Sequence, residues 1–308
     1  VPMSISATMV KELREKTSAG MMDCKKALEE SKGDFEAAIE WLRVKGLSAA
    51  SKKADRVAAE GLVHAGVMGK IGVVVEINSE TDFVSRNDGF KNFVVDVLEH
   101  VITTDTTENI LDQKYKKTGT TVGEALKATI ASIGENIVIR RAERYTASAN
   151  SLVHTYIHGE GKIGVMVEVE SSTPAGAASA DAKTFAADVC LHIAAMNPLA
   201  LSSASMSPDV VEKEKNILKQ KNLESGKKAD MVDKIVEGQI RKFLAENCLV
   251  DQPFVKNPDL TITAYSKEAS KKAGGDLTIK RFTRFELGAG IEKKAVDFAA
   301  EVASMQGH

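Results

Sequence analysis

The clearest hydrophobic pattern in the chain lies between residues 71 and 101. An apolar, valine-rich run at 71–77 has strand length. From 90 to 101 the apolar residues fall at 90, 93, 94, 97, 98 and 101, the stripe of a core-facing helix. Between them runs a polar turn containing Thr81-Asp82-Phe83-Val84. An acid beside a large aromatic, in a connection expected at the surface, has two readings. Asp82 could cap the helix with Phe83 as its first core anchor, or the pair could be a functional loop.

The first 55 residues predict a small helical module. Helical patterns run over 8–17 (Val10, Leu13), 21–31 (Met21, Met22, Ala27, Leu28) and 35–45 (Phe35, Ala38, Ile39, Leu42). Ser18-Ala19-Gly20 and Lys32-Gly33-Asp34 break them, with Gly33 suited to a helix end, Asp34 to a cap, and Gly46 closing the third. Three short helices bury little, so such a module tends to bind something. Met21 and Met22 read as core filler or as adaptable partner contacts. A basic, alanine-rich stretch at 48–60 reads as a helical linker.

An internal repeat follows. Leu62-Val63-His64 precedes Gly69-Lys70-Ile71-Gly72-Val73-Val74-Val75-Glu76-Ile77, and Leu152-Val153-His154 precedes Gly161-Lys162-Ile163-Gly164-Val165-Met166-Val167-Glu168-Val169, with two extra residues in the second copy. Each copy predicts strand, glycine turn and strand, then a helix (90–101 and 182–195). Each closes on a basic-aliphatic strand, Ile137-Val138-Ile139-Arg140-Arg141 and Leu277-Thr278-Ile279-Lys280-Arg281-Phe282. The expected fold is therefore α+β, with a duplicated core and antiparallel sheets. Where the first copy has Thr81-Asp82-Phe83-Val84, the second has the small, featureless Ser171-Ser172-Thr173-Pro174-Ala175-Gly176. That contrast favours a functional loop over a shared cap.

The second copy is interrupted. Ser207-Pro208 starts one helical pattern, 209–224 (Val211, Leu218, Leu223). Ser225-Gly226 turns into another, 229–247 (Met231, Ile235, Val236, Ile240, Phe243, Leu244). Together they predict an antiparallel hairpin of helices, each roughly 25 Å long. The chain returns through Pro253 and Pro258, and a last helix is expected over 291–305. The expected units are 1–55, 56–147, 148–206 with 249–287, the insertion 207–248, and a C-terminal helical module 288–308.

Composition narrows the chemistry. The 308 residues allow two or three domains, and a net charge of −2 gives no drive toward nucleic acid or an anionic membrane. No apolar run has the length of a membrane span, and no signal-peptide core opens the sequence. Three scattered cysteines, Cys24, Cys190 and Cys248, point to a reducing compartment. There is no G-x-x-x-x-G-K-[ST] phosphate loop. Gly159-Glu160-Gly161-Lys162-Ile163-Gly164 matches G-x-G-x-x-G but sits between two strands, the wrong context for a dinucleotide. His154 and His158 lack convergent ligands for a metal. Cys190-Leu191-His192 lies in an apolar helix and reads as inert packing. No nucleophile with its base emerges, so an enzyme is the third-ranked class, behind a partner-binding factor and a chaperone-like or scaffold protein. No cofactor or metal is expected.

Several motifs together resemble the elongation factor Ts family in its bacterial form. They are Val10-Lys11-Glu12-Leu13-Arg14-Glu15-Lys16-Thr17, Gly20-Met21-Met22-Asp23-Cys24-Lys25-Lys26-Ala27-Leu28, Thr81-Asp82-Phe83-Val84, Ile133-Gly134-Glu135-Asn136-Ile137, Phe285-Glu286-Leu287-Gly288 and Gly290-Ile291-Glu292. The resemblance runs almost the full length, although 103–122 is longer than in compact members. It implies a UBA-like N-terminal module and a non-enzymatic guanine-nucleotide exchange factor for the GTPase elongation factor Tu, working in a bacterial cytoplasm without direct nucleic-acid contact. It implies that Thr81, Asp82, Phe83 and Val84 enter the GTPase beside its magnesium and nucleotide. It further implies that Met21, Met22, Lys25, Ile133, Gly134 and His158 dock the partner, and that the hairpin forms a homodimer in some members.

Overall fold

The structure, a computed structural model, describes residues 5–17, 19–115 and 117–292. The helix expected over 291–305 lies outside the described residues from 293 onward. Helices α1 (Ala7–Thr17), α2 (Met21–Glu30) and α3 (Phe35–Ser51) surround a small core of Leu13, Cys24, Ala27, Leu28 and Ala38. Asp34 caps α3 by accepting the Ala37 N–H at 3.0 Å. Met21 and Met22 are not part of that core. The inward stripe of α2 is Cys24, Ala27 and Leu28, which turns both methionines to solvent.

The first half of the core is β1 (Glu60–Met68), β2 (Ile71–Ser79), α4 (Asp88–Thr103), α5 (Val122–Ile133) and β3 (Ile137–Thr146). The second is β4 (Ser151–His158), β5 (Ile163–Ser171), α6 (Pro174–Ala178), α7 (Ala180–Met196), and, beyond the insertion α8 (Pro208–Glu224) and α9 (Ala229–Asn247), the short β6 (Pro253–Phe254) and β7 (Asn257–Thr261), α10 (Ile262–Ala273) and β8 (Leu277–Glu286). The main sheets, β1-β2-β3 and β4-β5-β8, are antiparallel with the same strand order. The fold is α+β, as the pattern predicts. Among the described residues no helix is long and apolar enough to cross a membrane.

The two sheets pack face to face. This explains why β2 is apolar on both faces: Val73, Val75 and Ile77 meet α4 and α5, while Val74 meets Val153 and Met166 across the interface. The contact is reciprocal. A Cβ at Gly72 would strike Val153, and one at Gly164 would strike Val63. The Arg141 guanidinium stacks over Phe285 (4.1 Å) and that of Arg281 over Tyr145 (3.9 Å). Both central strands carry a buried glutamate at the same bulge, Glu76 bound by Arg140 and Arg141, and Glu168 bound by Arg281.

The duplication extends further than the sequence pattern indicates. His100 Nε2 pairs with Gln113 Oε1 (2.7 Å), and His192 Nε2 with Gln252 Oε1 (2.9 Å). Thr121 caps α5 and Thr261 caps α10. Neither helix is among the elements expected from the sequence, although α5 buries Val122, Leu126 and Ile130 at helical spacing; α10 buries only Ile262 and two alanines, Ala269 and Ala273. The helical hairpin thus enters between His192 and Gln252, where the first half has only residues 101–112. Its two helices meet through Val232, Val236, Ile240 and Leu244 of α9 against Val211 and Leu218 of α8, while Leu223 and Met231 face out.

Gly46 does not end α3, which continues to Ser51. A Cβ there would sit 3.6 Å from the Ala131 Cβ, so glycine lets α3 lie close along α5. The helical linker expected over 48–60 is therefore short: α3 stops at Ser51 and β1 begins at Glu60.

Candidate functional site

The turn after β2 is built by sorting its side chains inward and outward. Ser79 donates to the Thr81 carbonyl at 2.9 Å. Thr81 donates twice to the Glu135 carboxylate, through its N–H at 3.0 Å and its hydroxyl at 2.6 Å. Val84 is buried in the core of the first half and opens a single 3-10 turn, Val84–Arg86. Asn87, not Asp82, caps α4, accepting the Phe90 N–H at 3.1 Å. The first buried aromatic is Phe90. Asp82 and Phe83 are left on the outside, with Phe83 77% exposed. The Ser85 hydroxyl donates to the Asp82 carbonyl (2.6 Å) and the Arg86 N–H to the Phe83 carbonyl (3.1 Å), so the exposed pair sits on a backbone tied at both ends.

The Ile133–Gly134 segment borders this turn from behind. Ile133 is half-buried against the core of the first half, and Gly134, at φ 88°, ends α5 in the left-handed region. The next two residues do the holding. Besides the Glu135 clamp, the Asn136 N–H donates to Glu80 Oε1 (2.6 Å), and its amide donates to the Arg56 carbonyl (2.7 Å). Arg56 also pairs with Glu80 at 3.6 Å. The sequence reading assigns roles to Ile133 and Gly134 but none to Glu135 and Asn136. The available signal was an acid and an amide directly after a helix-ending glycine.

A cleft of about 620 Å³ opens beside the turn, lined by Asp82, Ser85, Arg86 and Lys91 on one side and by Gly159–Lys162 on the other. The G-x-G-x-x-G run forms that second wall. Gly159, Glu160 and Gly161 all have positive φ, the Gly161 carbonyl accepts the Val63 N–H at 2.8 Å, and Gly164 lies in the sheet interface. Its glycines serve a β-turn and close packing. His158 stands exposed at the end of β4, its Nδ1 3.0 Å from the Tyr156 hydroxyl.

Met21 (57% exposed) and Met22 (76%) open α2, and Lys25 follows one turn on, exposed and 3.9 Å from Glu29. They form a separate apolar and basic patch on the helical module. Cys190 and His192 are buried. The imidazole is held by Gln252 and by the Val255 N–H, donated to Nδ1 at 3.1 Å, while burial pushes the Cys190 thiol far up. Among the described residues no three His, Cys, Asp or Glu side chains converge as a metal site.

A family model described as elongation factor TS matches residues 80–289. The chain is 64% identical over 308 residues to Elongation factor Ts of Bdellovibrio bacteriovorus, covering 99% of this chain and 100% of that relative. It is 49% identical to Elongation factor Ts of Brucella anthropi and 48% identical to that of Syntrophotalea carbinolica, each over 98% of this chain and 99% of the relative.

Proposed function

The chain belongs to the elongation factor Ts family and is a translation elongation factor; from that premise we propose that it binds elongation factor Tu in the GDP-bound form and releases the GDP. The observation that carries the reading is Phe83, a large aromatic held 77% exposed on a turn whose two ends are tied down. Leaving such a ring in water costs about 1.5–3 kcal/mol relative to burying it, which a partner's pocket returns.

Asp82 and Phe83 act as a wedge. Phe83 displaces side chains that support the partner's magnesium, and Asp82 competes for their hydrogen bonds, so the metal and the diphosphate are held less well. Linkage does the rest. A protein that binds the nucleotide-free partner more tightly than the GDP-bound one weakens GDP binding by the same factor. This requires a rigid wedge and docking surface, with no acid, base or cofactor on this chain. Met21, Met22 and Lys25 supply docking from the helical module. Ile133 and Gly134 supply it from behind the turn, and His158 from the end of β4.

The test is release of fluorescent GDP from purified elongation factor Tu, with wild-type chain and Phe83→Ala at saturating concentration. The reading requires rapid release by the wild type and a strong slowing by the variant. Equal release by both sinks it.

A further inference from the structure

The two halves of the core allow an internal comparison at the turn itself. Counting along β2 and β5 from their matched glycines, Thr81 corresponds to Thr173 and Glu80 to Ser172. Counting along β3 and β8, Glu135 corresponds to Gly275 and Asn136 to Asp276. One contact is common to both: the Asn136 N–H donates to Glu80 Oε1 (2.6 Å), and the Asp276 N–H donates to Ser172 Oγ (2.8 Å).

The halves part at the neighbouring position. In the second half there is no room for a side chain at 275, where a Cβ would lie 2.6 Å from Ser171 Oγ and 2.9 Å from Thr173 Oγ1. With Gly275 there, Thr173 is free to cap, accepts the Gly176 N–H at 3.0 Å, and the chain coils at once into α6. In the first half Glu135 takes both Thr81 donors, so the Thr81 hydroxyl points back at α5 and caps nothing. The chain then runs out through Asp82 and Phe83, and capping passes to Asn87.

We infer that Glu135 is a positioning residue for exchange: its carboxylate, by holding Thr81 from both the N–H and the hydroxyl, keeps the Asp82-Phe83 turn open and aimed. The inference rests on the wedge reading above. Glu135 acts through Thr81 and needs no contact with the partner. It also joins the turn to the helical module, because the same α5 that ends at Gly134-Glu135 carries Ala131 against α3 and pairs through Glu124 with Arg43.

The experiment measures GDP release from elongation factor Tu across a concentration series, for Glu135→Ala, Glu135→Gln, Thr81→Val, the Glu135→Ala/Thr81→Val double variant and Phe83→Ala, with a melting temperature for each. Glu135→Ala lowers the maximal rate by about tenfold, the scale of one charge-assisted hydrogen bond. Its half-saturating concentration and melting temperature stay near wild type. Thr81→Val, which keeps the N–H, gives a smaller fall, the double variant is no slower than Glu135→Ala, and Glu135→Gln recovers much of the rate. Full maximal rate in Glu135→Ala overturns the inference while a slow Phe83→Ala leaves the wedge standing. A loss in Glu135→Ala with none in Thr81→Val, additive losses in the double variant, or a loss confined to affinity each overturn it by assigning Glu135 another role. A full rate in Phe83→Ala removes the wedge and the inference with it.

Discussion

Phe83 and Phe90 stand seven positions apart on one polar stretch, and they have opposite fates: the first is 77% exposed, the second fully buried. The helical stripe that begins at Phe90 declares the second as a core residue, whereas nothing local decides whether Phe83 turns in or out. The fold decides it: Val84, the next residue, enters the core of the first half and leaves Phe83 outside. This predicts how Phe83→Ala behaves. A core phenylalanine cut to alanine costs about 3–5 kcal/mol, whereas Phe83→Ala is expected to leave the denaturant midpoint close to wild type while GDP release slows strongly. Asp82→Ala is expected to slow release by a similar or smaller factor with the same unchanged midpoint. A large fall in midpoint with normal release per folded molecule contradicts both.

At the scale of elements, the hairpin joins the core through closely spaced ends. Ala200 and Cys248 form a parallel bridge, and the Leu249 N–H donates to the Ala200 carbonyl at 2.9 Å. Most of the hairpin's apolar contacts are its own, between α8 and α9. Replacing 208–247 by a short glycine linker is therefore expected to leave a cooperative thermal transition for the remaining core. Loss of that transition would make the hairpin integral. Sedimentation of the same variant reads whether copies associate through it. The helical module is a different case, since α3 lies along α5 with Gly46 at the crossing. It is packed onto the core rather than tethered to it.

At the scale of the whole molecule, the sheet interface contributes to stability, and two half-buried histidines and one buried one make it depend on pH. A methyl at Gly164 meets Val63, Val74 Cγ2 at 3.1 Å and Ile157 Cδ1 at 3.3 Å. Gly164→Ala is expected to lower stability by about 1–3 kcal/mol, the usual cost of overpacking, read as a shift in denaturant midpoint. Burial holds the imidazoles of His64, His154 and His192 below the ordinary histidine value, with Gln252 pulling His192 the other way. In the unfolded chain these groups take up protons near pH 6.5, about where free histidine titrates, and the folded chain resists doing so. Their contribution is thus present above about pH 6.5 and is lost as the pH falls below it. The Glu76 carboxyl loses solvation on burial, yet bonds from Gly288, Asn78 and Arg141 hold it below the usual range. It adds acid sensitivity of the same sign in a lower window. The denaturant midpoint is expected to be higher at pH 7.5 than at pH 5.5, and a flat profile across that interval would contradict the assignment.

The sequence by itself determined the duplicated α+β core, its strands and main helices, and the helical insertion. Periodicity and glycine turns are local properties, and β2 and α4 each carry enough apolar residues to declare their buried faces. It also singled out Asp82-Phe83, because the repeat supplied its own comparison in Ser171–Gly176. Tertiary structure decided everything that depends on which surface an element meets. It turned Met21 and Met22 outward, carried α3 past Gly46, and set Gly164 against Val63 in the sheet interface. It matched Gln113 with Gln252 across an insertion that hides their equivalence in the chain. It also brought Glu135 under Thr81 from 54 residues away, a pairing set by the register of β2 on β3 that no local pattern encodes.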